Sequence, residues 1–164
     1  MIGTGIKTDR IVNRLGDENV ANGWAESDTT GWAGSGVTVA RQTNFNDVAT
    51  SIKGTASATS GQLRQLSMTG SMANGVKYRN YVRVYIPSAN TTLDGIRFRY
   101  ANNYQWATDV LTPTADTWTD YQVDFTSADA SDRLYIYMYD GESVSTITVG
   151  DIFYVTAISI RERQ

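Results

Sequence analysis

Three stretches of the chain place tyrosine or arginine at every second position. Tyr81, Arg83 and Tyr85 alternate with Val82, Val84 and Ile86; Arg97 and Arg99 with Ile96 and Phe98; Tyr135, Tyr137 and Tyr139 with Leu134, Ile136 and Met138. Phenol rings stack on the apolar C–H faces of sugars, and guanidiniums fix hydroxyls or carboxylates through a planar fork. Protein interfaces enrich the same side chains. Tyrosine is also a good strand residue and arginine a good solubiliser. Glycan binding, a protein interface and an ordinary surface are therefore all compatible with the pattern, and each is recognition or solvation rather than catalysis.

Such spacing needs strands to use it, because a β-strand sends successive side chains to opposite faces. The aliphatic set is expected in a core. The tyrosines and arginines are expected together on one exposed wall, if the three strands share a sheet. A second cluster, Tyr100 to Trp106 (YANNYQW), reads as a hairpin turning at Asn102-Asn103, since Asn tolerates positive φ. Tyr104 and Trp106 would share a face, with Trp106 either a sugar platform at a loop rim or a cross-sheet packing residue. The candidate binding set is thus Tyr81, Arg83, Tyr85, Arg97, Arg99, Tyr104, Trp106, Tyr135, Tyr137 and Tyr139.

Other chemistries find little support. The chain has no His and no Cys, which removes the commonest general base, the commonest transition-metal ligand and any disulfide. Acidic residues are scattered (Asp94, Asp109, Asp116, Asp120, Asp124, Asp129, Asp132, Asp140), mostly at expected turns. No motif sets a pair of them in a cleft for glycoside hydrolysis, and no nucleophile elbow or phosphate loop is present. The expectation is a protein without catalytic residues, cofactor or metal. Net charge is −3, and three of the 14 cationic residues are Lys. That balance argues against nucleic-acid or membrane-surface binding and favours fixed, planar Arg contacts. No apolar run reaches membrane-spanning length, and the first ten residues lack the apolar core of a secretory signal.

At 164 residues the chain fits one domain. Helical periodicity is nearly absent. Strand-like runs separated by Gly, Asn, Asp, Ser and Thr predict strands over 10–15, 37–42, 48–53, 63–68, 76–86, 93–101, 105–110, 117–126, 133–140 and 147–161, the last broken at Gly150-Asp151. About ten short strands imply an all-β, antiparallel β-sandwich of jelly-roll type over 10–164, preceded by an N-terminal arm, 1–9. The uncharged run Val144–Val149 is expected as an interior strand, an assembly edge being the alternative. Of Trp24 and Trp32, in the polar stretch 16–36, one is expected to close an end of the core.

Several features, read in order, resemble the jelly-roll carbohydrate-binding modules of the family 4, 9 and 22 kind. Asn13 is followed by Gly16-Asp17-Glu18 and by Gly23-Trp24 or Gly31-Trp32. Ser51-Ile52-Lys53 resembles a Ser-x-Lys strand, and Gln62-Leu63 or Gln65-Leu66 a Gln before a strand. Gly75-Val76-Lys77-Tyr78 then opens a long strand, Trp118, Tyr121 and Phe125-Thr126 match later positions, and Phe153 to Ile160 matches the aromatic-led last strand. The resemblance implies a jelly roll and sugar binding by stacking on Tyr85, Tyr135, Tyr137 or Trp106, with Arg83, Arg97 and Arg99 as donors. Such modules often hold a structural calcium with an Asp pair in the final strand; Thr156 and Ala157 stand there instead, and Asp17 and Glu18 alone fall short of six to eight oxygen ligands.

Two functions of different class follow. One is a non-catalytic virion part, a capsid decoration (cement) protein or tail-fibre module at the virion surface. It would be homo-oligomeric, with capsid or tail subunits and surface glycans as partners. It suits a chain that starts at Met1 without an export signal or linker. The other is a free-standing, extracellular carbohydrate-binding module that recognises a polysaccharide by aromatic stacking.

Overall fold

The computed structural model describes Ala25 and residues 28–65, 72–100, 105–127, 134–141, 143–144 and 146–163, with the backbone alone at 105–109. The expected arm, the 10–15 strand, Trp24, Tyr104 and the Asn102-Asn103 turn lie outside the described residues. Ten strands are present: β1 (Trp32–Ser35), β2 (Val37–Phe45), β3 (Val48–Ala56), β4 (Gln62–Gln65), β5 (Lys77–Tyr85), β6 (Gly95–Tyr100), β7 (Gln105–Leu111), β8 (Thr119–Thr126), β9 (Leu134–Tyr139) and β10 (Ile152–Glu162). No helix occurs among the described residues. The strands form two five-stranded sheets: a front sheet in the order β1-β4-β9-β6-β7 and a back sheet in the order β2-β3-β10-β5-β8. All their pairings are antiparallel, so the fold is the expected β-sandwich of jelly-roll type.

Alternation builds the core as expected. Val82, Val84, Ile86, Ile96, Phe98, Leu134, Ile136 and Met138 are all buried between the sheets. Each such side chain contributes on the order of 1.5–3 kcal/mol. The sheets are locked by a polar and aromatic contact as well. Tyr100 of the front sheet stacks on Phe125 of the back sheet with ring centroids 3.6 Å apart, and its buried hydroxyl accepts a hydrogen bond from Asn80 Nδ2 at 3.0 Å. Trp32, one of the two tryptophans of the 16–36 stretch, lies in the core.

Two local devices set the register. Asn46 and Asp47 both have positive φ, which is the backbone a two-residue hairpin between β2 and β3 demands. In β10 the register against β5 shifts between Thr156 and Ser159, and Ala157 takes φ 54°. This bulge changes parity, so Val155, Ile158 and Ile160 all reach the core from one strand. Gly150 and Asp151 precede β10, as the expected break requires. The interior strand expected at Val144–Val149 is not formed. The described part is a loop in which Ile147 alone is buried and Val149 is exposed. Its backbone is satisfied from outside: Ile147 N donates to Thr59 O at 2.9 Å and Thr148 N to Thr92 Oγ1 at 2.7 Å.

Candidate functional site

Strand order divides the candidate residues. β6 and β9 are neighbours in the front sheet, so Arg97, Arg99, Tyr135, Tyr137 and Tyr139 share its outer wall. β5 lies in the back sheet, so Tyr81, Arg83 and Tyr85 face outward on the opposite wall. The single wall expected from the alternation is thus two walls. Period-two alternation states which side of a strand meets the core, but not which sheet the strand joins. The connection from β5 to β6 crosses between the layers instead of closing a hairpin.

On the back wall Tyr85 is absorbed into packing, while Tyr81 and Arg83 stay partly exposed. Tyr85 is 5% exposed and sits among Phe45, Trp118 and Tyr154, at ring-centroid distances of 5.0, 5.5 and 5.8 Å. Its hydroxyl donates to Asp116 at 3.2 Å. Burial first, and the Asp116 carboxylate second, raise the Tyr85 phenol above its ordinary pKa. A ring so enclosed is no stacking platform, which corrects the role expected of it. Arg83 lies 6.0 Å from the Trp118 ring and pairs with Asp120, its register neighbour on β8, at 3.3 Å. Arg79 and Arg163 both engage Asp124, at 2.6 and 2.7 Å.

The front wall is arranged differently. Registered across β4, β9 and β6 run two rows: Gln62, Tyr137, Arg97, and Arg64, Tyr135, Arg99. Neighbours along such a row have Cβ atoms about 4.5–5.5 Å apart. Arg99 is held by its tyrosines. Its guanidinium lies 4.5 Å from the Tyr135 ring centroid and 5.5 Å from that of Tyr137, and Nη1 donates to the Tyr137 hydroxyl at 2.8 Å. Tyr135 is thereby only 5% exposed and serves as backing for Arg99 rather than as the platform expected. Tyr137 and Tyr139 remain partly open, and the register partner of Tyr139 is Gly95, which carries no side chain to cover it. Beside Tyr137 lies a groove of ≈ 380 Å³ lined by Ser35, Ser60, Gly61, Gln62 and Val144. Gln62 Oε1 has no hydrogen-bond partner among the described residues. On the far side of β6, Trp106 of β7 is in register with Arg99; its side chain lies outside the described residues.

Gln62 and Arg64 were not among the residues expected from sequence. The signal was present in Gln62-Leu63-Arg64-Gln65, which alternates like the longer runs, with Leu63 and Gln65 turned inward. The structure also brings Asp94 and Asp140 to one pocket of ≈ 550 Å³, lined as well by Ser88, Asn90, Leu93 and Pro113. Desolvation, and then the neighbouring Asp140, push the Asp94 carboxyl above the usual range. Among the described residues no group of three acidic side chains is placed to hold a metal ion. Where the family resemblance would put a calcium-binding pair, Thr156 instead donates through Oγ1 to Thr50 O at 2.9 Å.

The sequence profile of the carbohydrate binding domain CBM_4_9 matches residues 17–145. The chain belongs to that family, whose members are non-catalytic binding domains. No curated protein sequence matches it. Among solved structures, the module is similar to the CBM22-1 xylan-binding domain of Paenibacillus barcinonensis Xyn10C, at 14% identity and a TM-score of 0.62, covering 92% of this chain and 97% of that one. A family 16 carbohydrate binding module-2 is similar at 20% identity and a TM-score of 0.59, over 86% and 97% of the two chains. The enzymatically active domain of bacteriophage CBA120 tailspike protein 4 matches at 15% identity and a TM-score of 0.59, over 88% of this chain and 21% of that one. At these identities the likeness is one of fold.

Proposed function

We propose that the front wall binds a polysaccharide and that the chain is a non-catalytic recognition module. The observation that carries this reading is Arg99, fixed over Tyr135 and tied to the Tyr137 hydroxyl on an open wall beside a groove. A donor immobilised before the ligand arrives loses little rotamer freedom on binding. A sugar chain along β9 would lay its C–H faces on Tyr137 and Tyr139. Gln62, Arg64, Arg97 and Arg99 would meet its oxygens. The family, and a neighbour named for xylan binding, support this.

The test is affinity electrophoresis through gels holding xylans, β-glucans and acidic polysaccharides. At least one polymer should retard the protein, with the shift lost in Tyr137→Ala and Arg99→Ala and kept in Tyr81→Ala on the opposite wall. Unretarded migration in every gel would end the proposal. The tailspike likeness favours a second setting for the same chemistry: display on a virion surface, as a homo-oligomeric capsid or tail part. The carbohydrate-binding module reading has the broader support, because the family is one of carbohydrate binding domains. Light scattering of the purified protein decides the homo-oligomer part: a monomer at high concentration removes it.

A further inference from the structure

We infer that the front wall selects polysaccharides bearing carboxylates, such as uronic acid units; this rests on the polysaccharide reading above. The outward positions of β4, β6 and β9 are Gln62, Arg64, Arg97, Arg99, Tyr135, Tyr137 and Tyr139. They include three guanidiniums and no carboxylate, in a chain of net charge −3. The back wall shows the alternative arrangement. There Arg79, Arg83 and Arg163 each sit against an aspartate of β8. Arg64 has no such partner among the described residues, and Arg99 rests on tyrosines.

A guanidinium has five N–H donors and no acceptor, and a sugar hydroxyl is both donor and acceptor. A wall built for neutral sugars needs acceptors as well. On β4, β6 and β9 the side-chain acceptors are the tyrosine hydroxyls and the buried Gln62 Oε1, and the Tyr137 hydroxyl already accepts from Arg99. An ionised carboxylate accepts only, and it takes a guanidinium's two parallel N–H groups in one plane. Arg64 and Arg99 flank Tyr135 in one row, two strand spacings or about 10 Å apart. A chain crossing β9 would therefore meet a guanidinium on each side of the tyrosine strip.

The experiment measures binding to glucuronoxylan and alginate, each beside its carboxyl-reduced form, with neutral xylan and a sulfated dextran in the same panel. Carboxylated polymers should bind at least about tenfold more tightly than their reduced forms, the ratio one charge-assisted contact supplies. Arg64→Gln and Arg99→Gln should each erode that ratio, and Arg83→Gln on the back wall should not. The preference should also weaken between roughly 50 mM and 500 mM salt. Arg64→Gln is the safer variant, because Arg99 also packs on the Tyr135 ring. Equal binding to native and reduced polymers would overturn the carboxylate assignment and leave the polysaccharide reading standing. Equal or tighter binding of sulfated dextran would overturn it in favour of general anion binding. Failure to bind any member of the panel would remove both.

Discussion

The two outer walls of the sandwich carry the same residue types and use them in opposite ways. On the back wall an arginine sits across from an aspartate, and aromatic rings close over one another around Tyr85 and Tyr154, 5% and 6% exposed. On the front wall arginines sit across from Tyr135 and Tyr137, and Tyr137 and the next outward tyrosine, Tyr139, stay partly open. What separates the walls is the strand placed beside each Tyr/Arg run. β8 supplies Asp120, Gln122 and Asp124 to β5, and β9 supplies phenols to β6. A wall whose arginines pair with aspartates stabilises the fold; a wall that sets arginines against partly open tyrosines presents both to a ligand.

The sharpest way to break this contrast is Tyr85→Ala. It removes the ring at the centre of the Phe45, Trp118 and Tyr154 cluster and should cost about 3–5 kcal/mol in urea unfolding, as large-to-small aromatic truncations do. Polysaccharide binding at temperatures where the variant stays folded should be unchanged. A lost ligand with stability intact would move the binding surface to the back wall.

Asp151→Asn comes next and tests how the walls are joined. The Asp151 carboxylate caps the β5–β6 connection, accepting from the backbone of Thr91, Thr92 and Leu93 at 2.8, 2.9 and 2.9 Å. Burial alone would raise this carboxyl. The backbone N–H groups of Thr91, Leu93 and Thr92 outweigh it and hold the group below the usual range. Its stabilisation is therefore complete above the ordinary carboxylate pKa of about 3.9 and fades as pH falls through the lower folded value. At neutral pH the amide, which brings N–H to face N–H, should cost about 2–3 kcal/mol. Because that connection leads into β6, front-wall affinity should fall with it. An amide variant as stable as the parent at pH 7 would show that the cap is dispensable.

What was legible from sequence follows from what is local. Val82, Val84, Ile86, Phe98, Ile136 and Met138 announce their side by alternation, and all are buried. Asn46-Asp47, between the expected strands 37–42 and 48–53, is the kind of pair that tolerates the positive φ its turn requires. Sheet partnership is decided by contacts tens of residues apart, so the split between β5 and the β6–β9 pair was not readable. Strand β1 was overlooked because Trp32-Ala33-Gly34-Ser35 carries one buried side chain and no alternating run. Val144–Val149 has high β-propensity, yet loop contacts from Thr59 and Thr92 capture its backbone. Arg64 means little between Leu63 and Gln65 until Tyr135 is found beside it.

Tyr137→Ala on the front wall is the counterpart of Tyr85→Ala. Its ring is partly open, so the stability change should stay within about 1 kcal/mol. Ligand affinity should fall about tenfold, or about 1.4 kcal/mol, through the lost ring face and the freed Arg99. Unfolding curves and binding isotherms on one preparation separate the two effects. A stability loss as large as that of Tyr85→Ala would mean the front wall is packed like the back.

The smallest effect belongs to the back-wall ion pairs. Asp124 receives Arg79 and Arg163, and the Arg79 hydrogen bonds hold its carboxyl below the usual range. The Asp124 side chain is 41% exposed, so solvent screens the pair and Asp124→Asn should cost under about 1 kcal/mol. A lowered folded pKa gives stability that is present above about pH 4 and lost as the group protonates below it. Parent and variant should therefore differ slightly in urea midpoint at pH 7 and low salt, and converge near pH 2 or in about 1 M salt. A gap that persists under both conditions would assign Asp124 a packing role, and the back wall would then owe its order to shape rather than to charge.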